Sequence, residues 1–116
     1  MVKDDCIFCK LANGQIPTNM VYEDDLVAAF DDANPMMPVH TLIVPKQHYA
    51  HIGDDVPAKT LAALLAAAPK VAKIKGIDET GYRVLANTGR DAGQEVLHLH
   101  LHVMGGAAMN SGNPSL

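Results

Sequence analysis

His98-Leu99-His100-Leu101-His102-Val103-Met104 sets three imidazoles at alternate positions, with apolar residues between and after them. In a β-strand successive side chains point to opposite faces, so the three histidines would form one row, spaced roughly 7 Å apart. Leu99, Leu101 and Val103 would then form the face that packs inward. The pattern predicts a last strand over residues 96–104, closed by Gly105 and Gly106, where the backbone can turn sharply. Three imidazoles on one rigid strand fill a core badly. They suit the handling of phosphate or metal.

Upstream of this strand, Asp4 or Asp5 is placed to cap a short helix over residues 6–12 that ends at Asn13 and Gly14. Residues 21–23 and 26–30 read as a strand pair joined by Asp24 and Asp25. Pro35 and Pro38 make residues 31–38 a loop, and residues 40–44 form a β-prone run closed by Pro45. Asp54 or Asp55 followed by Pro57 is a helix start, and Leu61, Leu64, Leu65, Ala68 and Ala72 recur at helical spacing. Pro69 should bend that helix or shift its boundary; Gly76 can end it. Residues 82–86 give a further strand. Strands, a long helix, then strands predict an α+β domain with a mainly antiparallel sheet and a helix on one face.

A chain of 116 residues, 48% of them hydrophobic, suits one domain with a modest core. Its net charge of −4 provides no broad basic field, which argues against sequence-independent binding to nucleic acid. The longest apolar run, residues 61–68, is far too short to span a bilayer. The acidic start at residues 1–5 lacks the apolar stretch of a signal peptide, so a cytoplasmic protein is expected. Cys6 and Cys9 are then not expected to form a structural disulfide. As a C-x-x-C pair they are compatible with zinc, with redox chemistry, or with two ordinary buried thiols. The polar tail, residues 110–116, is expected to be loose.

The run from His98 to Met104 resembles the signature of the histidine triad (HIT) family, in which histidines alternate with apolar residues. The likeness extends to Phe30-Asp31-Asp32, to Pro38-Val39-His40 and on to Pro45-Lys46, and to Asn87, Gly89, Gly93 and Gln94. It covers about residues 4–106, as a single domain. Gly105-Gly106 after the triad is similar to the Hint branch, the nucleoside phosphoramidases, rather than to the diadenosine-polyphosphate hydrolases. The resemblance implies a HIT-like fold of about five strands with one long helix and a short N-terminal helix. It also implies a homodimer with two sites.

For a member of this branch, the implied reaction is hydrolysis of purine nucleoside 5′-phosphoramidates, such as AMP or GMP amidates. Neutral imidazole is a competent nucleophile toward phosphorus, since its unperturbed pKa lies near 6.5. By resemblance the middle histidine, His100, forms a covalent nucleotidyl intermediate that water then hydrolyses. His102 faces the non-bridging oxygens, and His40 lies beside them. Asn87 belongs to the phosphate end, Gln94 is a further substrate-binding position, Asp32 accepts from the ribose hydroxyls, and Phe30 is core or base-pocket wall. Asp32 can equally be a turn-capping carboxylate, Asn87 a turn residue and His40 a satisfied half-buried histidine. No metal is needed for this chemistry. In bacterial-type relatives with a C-x-x-C pair, zinc is completed by a histidine after Pro-Lys and by the first triad histidine. Here those ligands are Cys6, Cys9, His48 and His98, and the site would be structural. His51 has no matched role and is expected at the surface.

Glu95 departs from the pattern, since Hint enzymes usually carry a small hydroxyl residue there, near the leaving group. A carboxylate would add repulsion, act as a proton donor if protonated, or point away. The chain also lacks the C-terminal tryptophan of eukaryotic Hint proteins. Two other functions stay open: dinucleoside polyphosphate hydrolysis by the same nucleophile, and a nucleotide-binding regulatory role with little activity.

Overall fold

The computed structural model describes residues 1–109. A short helix α1 (Ile7–Ala12) precedes strands β1 (Met20–Glu23), β2 (Val27–Asp31) and β3 (Val39–Pro45). The long helix α2 (Ala58–Ile74) follows, then β4 (Tyr82–Leu85), a 3-10 turn (Arg90–Ala92) and β5 (Leu101–Gly105). The five strands form one antiparallel sheet in the order β1-β2-β3-β5-β4. The α+β class, the five-stranded sheet and both expected helices are therefore present.

Period-two patterning separates the two faces of this sheet. Val27, Ala29, Ile43, Leu99, Leu101 and Val103 pack with Leu64, Ala68 and Val71 of α2 in one apolar core. Ala28, Phe30, Leu42 and Val44 point the other way and meet Phe8, Cys9 and Ala12 of α1. The imidazoles of His98 and His100 touch Phe8, so the triad shares the α1 face. One face holds the molecule together and the other carries its chemistry.

Several local expectations change. The cap of α1 is Cys6, whose sulfur accepts the Cys9 N–H at 3.3 Å, and neither Asp4 nor Asp5 fills that place. Pro57 is the N-cap of α2 without a side-chain hydrogen bond, while Asp54 accepts from the Ala50 N–H at 2.8 Å. Helix α2 runs through Pro69 with no shift of boundary. The carbonyl that loses its partner belongs to Leu65, which is 62% exposed, so water can satisfy it. Leu65 thus lies outside the core that its helical spacing suggested. At the other end Gly76, at φ +74°, closes the helix as expected.

The last strand is shorter than its alternation implies. β5 starts at Leu101, and residues 96–98 form a bend. The pairing with β3 begins at Ile43 opposite Leu101. Beyond it stands Pro45, which has no N–H with which to extend the ladder. Its carbonyl accepts from the His98 ring at 2.9 Å, and the Leu99 N–H turns to the Tyr49 carbonyl at 2.7 Å. The histidines still share a face, but only His102 lies within the strand.

Candidate active site

A cleft of about 620 Å³ opens on the α1 face. Phe30, Asp32, His40, Asn87, Gln94, Glu95, His100 and His102 all line it. Ile7, Phe8, Leu11, Thr18 and Met36 line it as well, and these the sequence reading did not single out. Among them Ile7 leaves a large aliphatic side chain 47% exposed on the cleft wall, beside buried Phe8.

Backbone groups set the protons of the buried rings. The Met36 N–H donates to His40 Nδ1 at 3.0 Å, so that nitrogen holds a lone pair and the proton sits on Nε2. His40 Nε2 in turn donates to His102 Nδ1 at 2.8 Å, which leaves the His102 proton on its own Nε2. That N–H is buried and has no partner among the described residues. A buried donor left unpaired costs about 1–3 kcal/mol, so the site carries a standing demand for an acceptor. Burial, with His100 and His40 as neighbours, pushes His102 down to about 4, and burial also lowers His40. Both rings are neutral near pH 7, as this relay of single protons requires.

His100 presents the opposite polarity. The His98 carbonyl can only accept, so at 2.7 Å it takes the His100 Nδ1 proton, and in the neutral ring Nε2 keeps the lone pair. Phe8 stands edge-on to this ring, with centroids 5.1 Å apart, and also meets Phe30 at 5.7 Å. The cleft therefore combines a lone-pair nitrogen and an N–H donor on rings whose centroids are 4.9 Å apart.

The remaining residues divide their duties. Asp32 Oδ1 accepts the Asn34 N–H at 2.8 Å while Oδ2 lies 3.5 Å from His40 Nε2, so the carboxylate both caps its turn and faces the histidines. Gln94 is committed to backbone: Oε1 accepts from Gly89, and Nε2 donates to the Ala50 and Val96 carbonyls. It shapes the loop around the cleft. Asn87 is half-buried, and Glu95 is exposed on the cleft wall. His51 is half-buried away from both clusters, its Nδ1 accepting the Gly53 N–H at 3.0 Å.

Cys6, Cys9, His48 and His98 form a second cluster, with four ligand atoms within 4.8 Å of one another. Pro45 accepts the His98 Nε2 proton, which turns an unprotonated Nδ1 toward both sulfurs, 3.2 Å from Cys6 and 3.4 Å from Cys9. His48 Nδ1 lies 3.5 Å from Cys9 Sγ. Tetrahedral Zn–S and Zn–N bonds would separate sulfur and nitrogen by about 3.5 Å. Each sulfur also accepts a backbone N–H, Cys6 from Cys9 and Cys9 from Lys3. A ring whose far nitrogen donates to a carbonyl is the usual orientation of a metal-bound histidine. These residues fit a metal ion.

A single antiparallel sheet, a helix on one face and a row of backbone-oriented imidazoles under a cleft on the other together define a histidine-triad protein. The HIT domain family matches residues 13–109, and the chain belongs to that family. The purine nucleoside phosphoramidase of Escherichia coli K12 is 42% identical over 106 residues, spanning 89% of this chain and 88% of that protein. A histidine triad protein from Clostridium difficile superposes with a TM-score of 0.88 at 50% identity, over 95% of this chain and 97% of that one. A HIT family hydrolase from Legionella pneumophila gives 0.85 at 44% identity, over 91% and 96%.

Proposed function

We propose that this chain hydrolyses purine nucleoside 5′-phosphoramidates and related nucleoside monophosphate adducts through a covalent nucleotidyl-histidine on His100. The opposed polarity of two neighbouring rings carries the reading: a lone pair on His100 Nε2 beside a donor on His102 Nε2. The His100 lone pair attacks the α-phosphorus, and the amine departs with the P–N bonding pair and takes a proton from solvent. The His102 N–H meets the non-bridging oxygen as its charge grows, with no rearrangement needed at that moment. His40 holds His102 in that tautomer. Water then attacks the phosphorus and releases the nucleoside monophosphate, returning the electron pair to His100. The apolar wall of Ile7, Phe8, Leu11 and Phe30 takes the purine. Asp32 takes the ribose hydroxyls, Asn87 the phosphate end, and Glu95 faces the leaving group. Resemblance to the Escherichia coli phosphoramidase supports this substrate class.

Turnover of adenosine 5′-phosphoramidate by wild type and His100→Ala, with acid-quenched samples searched for AMP-modified protein, is the direct test. Turnover and an adduct on His100 in the wild type alone are expected, with AMP affinity of the variant within about tenfold. Cleavage of dinucleoside polyphosphates but not amidates would move the substrate class. AMP binding with no turnover of either would make the chain a nucleotide-binding regulator.

We infer in addition that the ion at Cys6, Cys9, His48 and His98 is zinc in a closed structural site, which would supply a fixed fourfold crosslink between α1 and the triad segment. Protein purified without chelator should contain about one zinc per chain. Absence of zinc, with both thiols freely titratable in the folded protein, would remove the assignment. A homodimer, a cytoplasmic location and the absence of nucleic-acid or membrane partners complete the proposal. In support of the last, no helix among the described residues is long and apolar enough to cross a membrane.

A further inference from the structure

His100 stands just outside the ladder that would otherwise hold it. β5 begins one residue later, and the carbonyl that orients the His100 ring belongs to His98, a bend residue. The position of that carbonyl follows from what grips residues 98 and 99. His98 Nε2 bonds to Pro45, Nδ1 lies between the two cysteine sulfurs, and the Leu99 N–H bonds to Tyr49. Pro45 and Tyr49 flank His48, so each of these anchors leads to the Cys6, Cys9, His48 and His98 cluster or to the segment that carries it. A second connection runs through α1. Phe8, flanked closely by Cys6 and Cys9, sets its ring edge-on to both His98, at 6.0 Å, and His100, at 5.1 Å.

We propose that His98 and Phe8 are positioning residues for His100, and that a metal ion held by Cys6, Cys9, His48 and His98 is what fixes them. The inference rests on reading His100 as the nucleophile, but it concerns what aims that ring. Without an ion, sulfur and imidazole are joined only by weak S–H···N contacts of 3.2–3.5 Å. The His98 carbonyl then loses its fixed position, and the His100 ring can turn so that a proton replaces the lone pair toward the cleft. Asp32 lies on the β2–β3 loop, His40 on β3 and His102 on β5, so the ribose and phosphate contacts survive. Loss of the ion loosens the purine wall that α1 provides, and therefore reaches the chemical step more strongly than binding.

The test compares zinc-loaded wild type, chelator-stripped wild type and stripped protein given back Zn²⁺. Three quantities are read on each: the ¹H–¹⁵N signal of His100 Nδ1–H, AMP affinity, and kcat on adenosine 5′-phosphoramidate. Stripping should broaden or shift the His100 signal and lower kcat about ten- to a hundredfold. AMP affinity should fall by a smaller factor than kcat, and Zn²⁺ should reverse all effects. His48→Ala should behave as stripped protein, and His48→Cys, which restores a ligand, as wild type with Zn²⁺. Phe8→Leu, with every ligand intact, covers the case in which stripped protein unfolds. It should retain zinc while kcat falls about tenfold and the His100 signal broadens.

Zinc that binds while leaving the His100 signal and kcat unmoved would overturn the proposal and leave the metal site standing. Failure of the folded protein to bind Zn²⁺ would overturn both. A His100 signal that follows zinc in a protein with no turnover would uphold the positioning role and reject the phosphoramidase reading.

Discussion

His102 sits 8% exposed between His40 and His100, and burial above all holds it down to about 4 against an ordinary 6.5. Between those two values the unfolded chain binds the proton and the folded chain refuses it. Stability is therefore full above pH 6.5 and drains as pH falls toward 4, by roughly 3 kcal/mol at most for this group. Urea midpoints measured from pH 7 down to pH 4.5 should fall more steeply in wild type than in His102→Gln; parallel profiles would contradict it. At this scale the sequence was most legible where chemistry needs a particular side chain. All eight cleft residues it named line one cleft, and its four proposed ligands lie together. Hydrogen-bond duty was less legible. Gln94 was expected to bind substrate, yet its amide is occupied by three backbone groups. Phe8 and Ile7 escaped because an apolar pair in a short helix looks the same whether it walls a cleft or fills a core.

At the scale of elements, periodicity identified faces better than it identified ends. The alternation over residues 98–104 placed Leu99, Leu101 and Val103 correctly against α2, although the strand itself spans only Leu101–Gly105. A strand ends where its partner ends, and that partner, Pro45, lies more than fifty residues away along the chain. Local composition cannot carry such information. The same holds for Pro69, whose cost depends on whether the freed carbonyl faces water. At the far end of β5, Gly105 is needed for lack of room. A Cβ there would meet the Gly81 carbonyl and the Ile77 Cδ1, each at 3.0 Å. Gly105→Ala should destabilise the fold by about 1–3 kcal/mol, measured by chemical denaturation. An unchanged midpoint would mean that residues 77–81 give way freely.

The whole molecule has two unequal sheet edges. β1 is blunted by a register shift between Met20 and Tyr22, whereas β4 pairs with β5 from Tyr82 to Leu85 without one. Among the described residues no strand lies beyond β4, and a regular edge strand invites another. Leu65 and Ile74 of α2 add exposed apolar surface, at 62% and 57%. The homodimer proposed above is expected to form through β4 and α2, and this is tested by mass. Light scattering at micromolar concentration should return twice the 12.4 kDa chain mass, and a monomer there would exclude it. Fold class and helix-on-one-face architecture were legible because sheet and helix periods differ. The exposure of Leu65 was not, since it carries the same helical spacing as the core residues beside it.

The protons of the histidine cluster are assigned by main-chain groups: the Met36 N–H and the carbonyls of Pro45 and His98. Main-chain groups are present whichever residue supplies them. A side-chain substitution at 36 therefore leaves unchanged which nitrogen gives and which accepts, whereas Pro45 must also keep the ladder from extending. The acid–base polarity of the site is inherited with the path of the chain, while the cleft walls stay free to be rewritten for new ligands.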